Sequence, residues 1–125
     1  MVAKKIKNES DALSEIIVKG IQEKKGKEII TLNLKQLKNT VCDYYVICHG
    51  NSRTQVSAIA DSVDEYVRKI NGDKPWRIEG QTNAEWILLD YINVVVHVFL
   101  GETREFYQLE KLWADAEVKH FETID

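Results

Sequence analysis

The segment Pro75-Trp76-Arg77-Ile78-Glu79-Gly80-Gln81-Thr82-Asn83-Ala84-Glu85-Trp86 holds two tryptophans ten residues apart among charges of both signs. Tryptophan and arginine anchor protein interfaces: each removes a broad apolar surface from water while an N–H or guanidinium fixes its orientation. The competing reading makes both tryptophans core fillers. For Trp76 the two readings balance. For Trp86, at a strand entrance beside a polar loop, the interface reading is favoured. Glu79, Glu85 and Asp90 lie close by, as partners for His97 or as a small acidic rim.

Catalytic readings are weaker. The turn Gly50-Asn51-Ser52 lies between an apolar run and a helix start, where free amides and the helix dipole attract anions. No Gly-Lys-Ser/Thr follows, so it is no phosphate-binding P-loop, and a plain helix start is the better account. Two-metal chemistry needs paired carboxylates on one strand, and Asp43 stands alone on its own. Asp61 and Asp64 share a helix face with Arg68 and Lys69, as expected of a solvated, charge-compensated surface. His97 falls in an apolar run facing with Val95 and Phe99. It reads as a buried, hydrogen-bonded histidine, since no nucleophile accompanies it. Cys42 and Cys48 flank one apparent strand, which would hold them roughly 20 Å apart, beyond disulfide reach. They read as small core residues of a reducing compartment. No metal, cofactor or catalytic residue is expected.

The chain has 125 residues, a length that supports one core, and a net charge of −3. Duplex phosphates are gripped by basic stripes; here lysines cluster only at Lys4, Lys5 and Lys7 and at Lys24, Lys25 and Lys27, so no direct DNA binding is expected. The N-terminus lacks an apolar signal core, and no run approaches the roughly 20 apolar residues of a membrane helix. A cytoplasmic protein without a membrane segment is the expectation.

These residues need positioning elements. Leu13, Ile16, Ile17 and Ile21 recur at helical spacing after Ser10, a candidate N-cap, with Gly26 as the stop. Ile29 to Leu34 alternates as a half-buried strand. Val41 to Cys48 is nearly continuous in apolar character, as in a central strand buried on both faces. Ser52 and Gln55 form a capping box for a helix carrying Val56, Ile59, Ala60, Val63, Tyr66, Val67 and Ile70, ended by Asn71-Gly72. Strands follow over 75–78, 86–90 and 94–100, the last two a hairpin around Tyr91-Ile92-Asn93. Thr103 is expected to cap a third helix with Phe106, Leu109, Trp113 and Ala116 as its buried stripe. The whole is one α/β domain over 1–125, a single mixed sheet of about five strands flanked by helices. Residues 1–9 and 118–125 are expected to be frayed tails.

Four blocks of the chain, in order and at matching spacing, resemble the ribosomal silencing factor (Iojap-like) family over residues 10 to 115. They are Cys42-Asp43-Tyr44-Tyr45-Val46-Ile47-Cys48-His49-Gly50-Asn51-Ser52; Glu79-Gly80 with Ala84-Glu85-Trp86-Ile87-Leu88-Leu89-Asp90-Tyr91; Val94-Val95-Val96-His97-Val98-Phe99; and Arg104-Glu105-Phe106-Tyr107-Gln108-Leu109-Glu110-Lys111-Leu112-Trp113. The resemblance implies a nucleotidyltransferase-like fold without its metal carboxylates. It implies a translational repressor that binds the large ribosomal subunit through ribosomal protein L fourteen, blocks subunit joining, and is a homodimer when free. Carried onto this chain, the partner-binding set is Trp86 with Glu79, Gly80, Glu85, Asp90 and Trp76. Two positions depart from the family pattern: Ile92 stands where a turn glycine is usual, and His49 where threonine is usual. The alternative is a nucleotide- or phosphate-binding enzyme built on Gly50-Asn51-Ser52.

Overall fold

The computed structural model describes residues 9–124. Its elements are α1 (Glu9–Glu23), β1 (Lys27–Asn33), β2 (Tyr44–Gly50), α2 (Arg53–Asn71), β3 (Arg77–Glu79), β4 (Trp86–Asp90), β5 (Val94–Leu100), α3 (Gly101–Tyr107), a 3₁₀ turn (Leu109–Trp113) and β6 (Glu117–Phe121). The strands form one six-stranded mixed sheet in the order β3-β4-β5-β2-β1-β6. Only β2 and β5 run parallel. A parallel pair requires a crossover, and α2 supplies its first leg back across the sheet.

One face of the sheet carries α1 and α2. Ile17 and Ile21 of α1 and Val56, Ile59, Val63 and Val67 of α2 are fully buried against Val46, Cys48, Ile87, Leu89, Val94, Val96 and Val98. Fully burying each large aliphatic side chain contributes about 2 kcal/mol. The two helices cross closely because Gly20 has no side chain: a Cβ there would lie 3.1 Å from the Val63 Cα. The buried Ser62 hydroxyl donates to the Gly20 carbonyl at 2.7 Å and closes the contact.

One arm of the expected capping box is present: Gln55 N–H donates to Ser52 Oγ at 3.1 Å, while the Gln55 side chain accepts from Asn51 N–H in place of the N-cap N–H; Gly72 ends α2 at φ 75°. Helix α1 ends differently from the sequence expectation. Lys25, not Gly26, takes the left-handed conformation at φ 61°. Gly26 N–H reaches the Ile21 carbonyl at 3.0 Å, and a Cβ on Gly26 would collide with the Ile21 side chain. Gly26 is therefore a packing glycine one place beyond the αL position of a Schellman-type stop.

Other expectations are corrected. Ser10 is helical and buried in the first described turn of α1, so it is not the N-cap. Strand β1 is buried on both faces over Ile29 to Leu32, because β6 covers its outer edge and the second face is also packed. Residues 117–121 are thus a sixth strand and not a frayed tail. Of the expected N-terminal tail, Glu9 is helical and 1–8 lie outside the described residues. Strand β2 begins at Tyr44, leaving Val41 91 % exposed. Cys42 and Cys48 are buried and unbridged, with burial pushing their thiols up to about 11 and about 12.

The expected third helix over 103–116 is broken. Leu100, not Thr103, is its N-cap residue and makes no side-chain cap bond; Gln108 ends it in the left-handed region at φ 47°, and a 3₁₀ turn follows. Phe106, assigned above to a buried stripe, is 80 % exposed.

Candidate functional site

Strand alternation sends Trp86, Leu88 and Asp90 of β4, Val95, His97 and Phe99 of β5, and Tyr45 and Ile47 of β2 to the face away from α1 and α2. Ile30, Leu32, Leu34, Ile47, Val95 and Phe99 are buried there, under Leu109, Trp113 and Ala116. The cover is incomplete beyond Trp113, where the sheet face carries aromatic rings in edge or tilted contact.

The rings form a continuous row. Trp113 meets Tyr45 at 5.8 Å between centroids, and Tyr45 meets His97 at 4.6 Å. His97 lies 6.0 Å from Trp86, which packs on Phe99 at 4.7 Å and on Tyr107 at 5.0 Å. Phe106 closes the row, edge-on to Tyr107 at 5.0 Å. The row is sealed in its middle and open at the Phe106 end: Phe99 is fully buried, whereas Tyr107 is 53 % and Phe106 80 % exposed. Water-facing aromatic side chains grouped in this way mark a surface built for a partner.

The outward segment is held by a buried cation. Arg104 donates through Nε and Nη2 to Glu110 at 3.2 and 3.1 Å, and through Nη1 to the Glu28 carbonyl at 2.8 Å. Glu28 is itself left-handed at φ 42°, at a bulge in β1. Arg104 Nη1 also lies 3.0 Å from His49 Nδ1. Burial, then the adjacent guanidinium, lowers the pKa of His49. The result is a clamp that fixes α3 and the 3₁₀ turn to β1 and β2, and so presents Phe106, Tyr107 and Leu112 on a rigid mount.

Trp86 has one polar atom, and it is engaged: Nε1–H donates to His97 Nδ1 at 3.1 Å. An indole can only donate, so Nδ1 accepts and the neutral imidazole carries its proton on Nε2. Among the described residues that Nε2 is buried without a partner. Leaving such a group unsatisfied costs about 1–3 kcal/mol. Burial lowers the His97 pKa to about 4. His97 is thus buried and hydrogen-bonded, as expected, with tryptophan as its partner and not an acid.

The acids of the expected set pair with arginines. Arg77 lies 3.2 Å from Glu79 and 3.6 Å from Asp90, on the Trp86 face by register. Asp90 also accepts from Ile92 N–H at 2.8 Å. Glu85 turns to Arg53 at the start of α2. Trp76 is 67 % exposed, with the Arg77 guanidinium 5.3 Å from its ring. Gly80 lies at φ 88°, under the Trp86 backbone. The structure therefore brings Trp86, Glu79 and Asp90 to one face, while Glu85 points to the helical side. Phe106 and Tyr107 complete the exposed row, and Leu112 is exposed on the 3₁₀ turn that follows; sequence reasoning did not select them.

The other candidate is less well equipped. Asn51 N–H is taken by Gln55 Oε1 at 2.7 Å, and Ser52 Oγ already accepts from Gln55 N–H. Gln55 also donates to the Lys24 and Lys25 carbonyls, each at 3.2 Å, so its role is to join the loop to the end of α1. Among the described residues, no group of three or more His, Cys, Asp or Glu side chains could hold a metal ion. Likewise, no helix among them is long and apolar enough to cross a membrane.

Comparison with known proteins places the chain in a family. The family model described as "Ribosomal silencing factor during starvation" matches residues 7–125. The ribosomal silencing factor of Halalkalibacterium halodurans is 38 % identical over 112 residues, covering 90 % of this chain and 94 % of that one. A crystal structure of a protein from Chromobacterium violaceum superposes with a TM-score of 0.80 at 33 % identity, covering 85 % of this chain and 87 % of the other. A mouse protein named for mitochondrial assembly of the ribosomal large subunit is 29 % identical over 102 residues, 79 % of this chain and 44 % of that protein. By the extent of the family match and the near full-length identity to its bacterial relatives, this chain belongs to the ribosomal silencing factor family.

Proposed function

We propose that this protein represses translation by docking its aromatic row on the large ribosomal subunit, at ribosomal protein L fourteen, so that the small subunit cannot join. Steric exclusion needs a surface and no reaction chemistry. The observation that carries the reading is the contact of exposed Phe106 and Tyr107 with each other and with half-buried Trp86, on a clamped segment that also exposes Leu112. Rigid aromatic anchors lose little entropy on binding, and Glu79 and Asp90, two carboxylates sharing the one Arg77, leave a net negative rim that complements a basic partner. The names of the bacterial and mouse relatives support a ribosomal, large-subunit setting. In the same reading the protein works in the cytoplasm and is a homodimer when free.

Calorimetric titration with isolated L fourteen tests this. The expected result is saturable binding with a negative heat-capacity change, the mark of apolar burial. Replacing Phe106 and Leu112 together by alanine, at two exposed positions, is expected to weaken it at least thirtyfold, an effect of about 2 kcal/mol. Absence of binding by the wild-type chain would refute the partner assignment.

A further inference from the structure

We infer that His97 is a positioning residue for docking: as the fixed acceptor for Trp86 Nε1–H, it sets the indole in the orientation that the partner meets. The inference rests on the docking reading above and deepens it.

Trp86 lies between the buried and the exposed halves of the row, against Phe99 on one side and Tyr107 on the other. Packing alone leaves an indole at a surface more than one orientation, since its rotamers differ little in area buried against a flat sheet face. A hydrogen bond to an atom fixed in the backbone-rigid centre of the sheet removes that freedom. His97 supplies such an atom: it is 4 % exposed, on a strand buried along most of its length, with Tyr45 edge-on at 4.6 Å and Phe99 stacked at 6.3 Å.

The second observation is that folding gains little else from this histidine. Among the described residues its Nε2–H has no partner, and burial alone, with no neighbouring charge, sets its pKa. An aliphatic side chain at this site would bring no unsatisfied donor of its own, and would cost only the acceptor for Trp86 Nε1–H. Nδ1 does one thing in the structure, which is to receive the Trp86 proton. Glu79 and Asp90 are occupied by Arg77 and do not compete for the indole. A preset anchor loses less side-chain freedom on binding, and the gain is realised as affinity.

The test uses the full-length protein and isolated large subunits. In wild type, ¹⁵N spectra of the imidazole should show an unprotonated Nδ1 and a protonated Nε2; the opposite tautomer overturns the inference, whatever any variant does. His97→Leu removes the acceptor, and His97→Asn keeps an amide oxygen near the place of Nδ1. Co-sedimentation with large subunits should weaken about tenfold for His97→Leu and stay within about threefold of wild type for His97→Asn. The Trp86 indole N–H resonance should move in the first variant and stay near its place in the second. Loss of binding in both variants to the same degree, with both folded, would make His97 merely structural and overturn the positioning role. Wild-type binding by His97→Leu would also overturn it, while leaving the docking face intact if Trp86→Ala still fails to bind. Should Trp86→Ala bind normally, it is the choice of docking face that is at fault.

Discussion

Gly80 lies so close beneath Trp86 that a Cβ on it would collide with the Trp86 carbonyl oxygen, and it does so at φ 88°. The loop between β3 and β4 must fold tightly for Trp86 to enter its strand in register, opposite Phe99. The hydrogen bond from Ala84 N–H to the Gly80 carbonyl at 3.0 Å closes that turn. Gly80→Ala meets both the left-handed strain and the clash, each worth about 1–2 kcal/mol. Urea unfolding should show a loss of about 3 kcal/mol, with a change in tryptophan near-ultraviolet dichroism as the indole shifts. A variant as stable as wild type would mean that the loop has another accessible path.

The hairpin between β4 and β5 shows the reverse case. Ile92 sits at φ 74°, is 60 % exposed, and stands where its relatives are expected to carry glycine. A β-branched side chain in the left-handed region is strained, and this one buries too little surface to offset the cost. Ile92→Gly should therefore stabilise the protein by about 1 kcal/mol, raising the melting temperature by roughly 4 °C. Calorimetry checks this, and a destabilised variant would show that the exposed isoleucine contributes more packing than its exposure implies.

Acid should weaken the fold through its buried histidines. The His97 pKa falls from 6.5 to about 4 through burial, and that of His49 is lowered as well. Between those values the unfolded chain binds a proton that the folded chain refuses. Stability is then fully present above pH 6.5 and is lost as pH falls towards 4, by up to about 3 kcal/mol for His97. Denaturant midpoints measured across this window should fall in wild type and fall less in His97→Asn. Equal slopes would mean that His97 is protonated in the folded state as readily as in the unfolded one.

Much of this architecture was legible because its signals are local. Ser52, Gln55 and Gly72 bound α2 through side-chain and backbone chemistry that a few residues determine. The apolar run of β5 declared a central strand, and the placement of His97 on a face with Val95 and Phe99 followed from a period of two. Strand β6 was not legible: Glu117–Phe121 is exposed along most of its length and gains its partner, β1, from far away in sequence. The third helix misled for a different reason. Phe106, Leu109 and Trp113 keep helical spacing, and neither glycine nor proline marks the break; the chain turns at Gln108, with Arg104 clamping Glu110 on the far side. That break turns Phe106 outward, so a ring that read as part of a core stripe lies 80 % exposed beside Tyr107. Glu79 and Asp90 share the Trp86 face, and their pairing with Arg77 depends on the β3–β4 register, which no spacing rule supplies.

The account stands most directly on subunit joining followed by light scattering. Purified large and small subunits are mixed with the wild-type protein, or with the variant in which Phe106 and Leu112 are both alanine. The expected result is that wild type, preincubated with large subunits, holds the scattering signal near that of free subunits, while the double variant, with an unchanged melting temperature, allows joining to proceed. Joining at the same rate with wild type as with no addition, or full inhibition by the double variant, would contradict the claim that this aromatic face silences the ribosome.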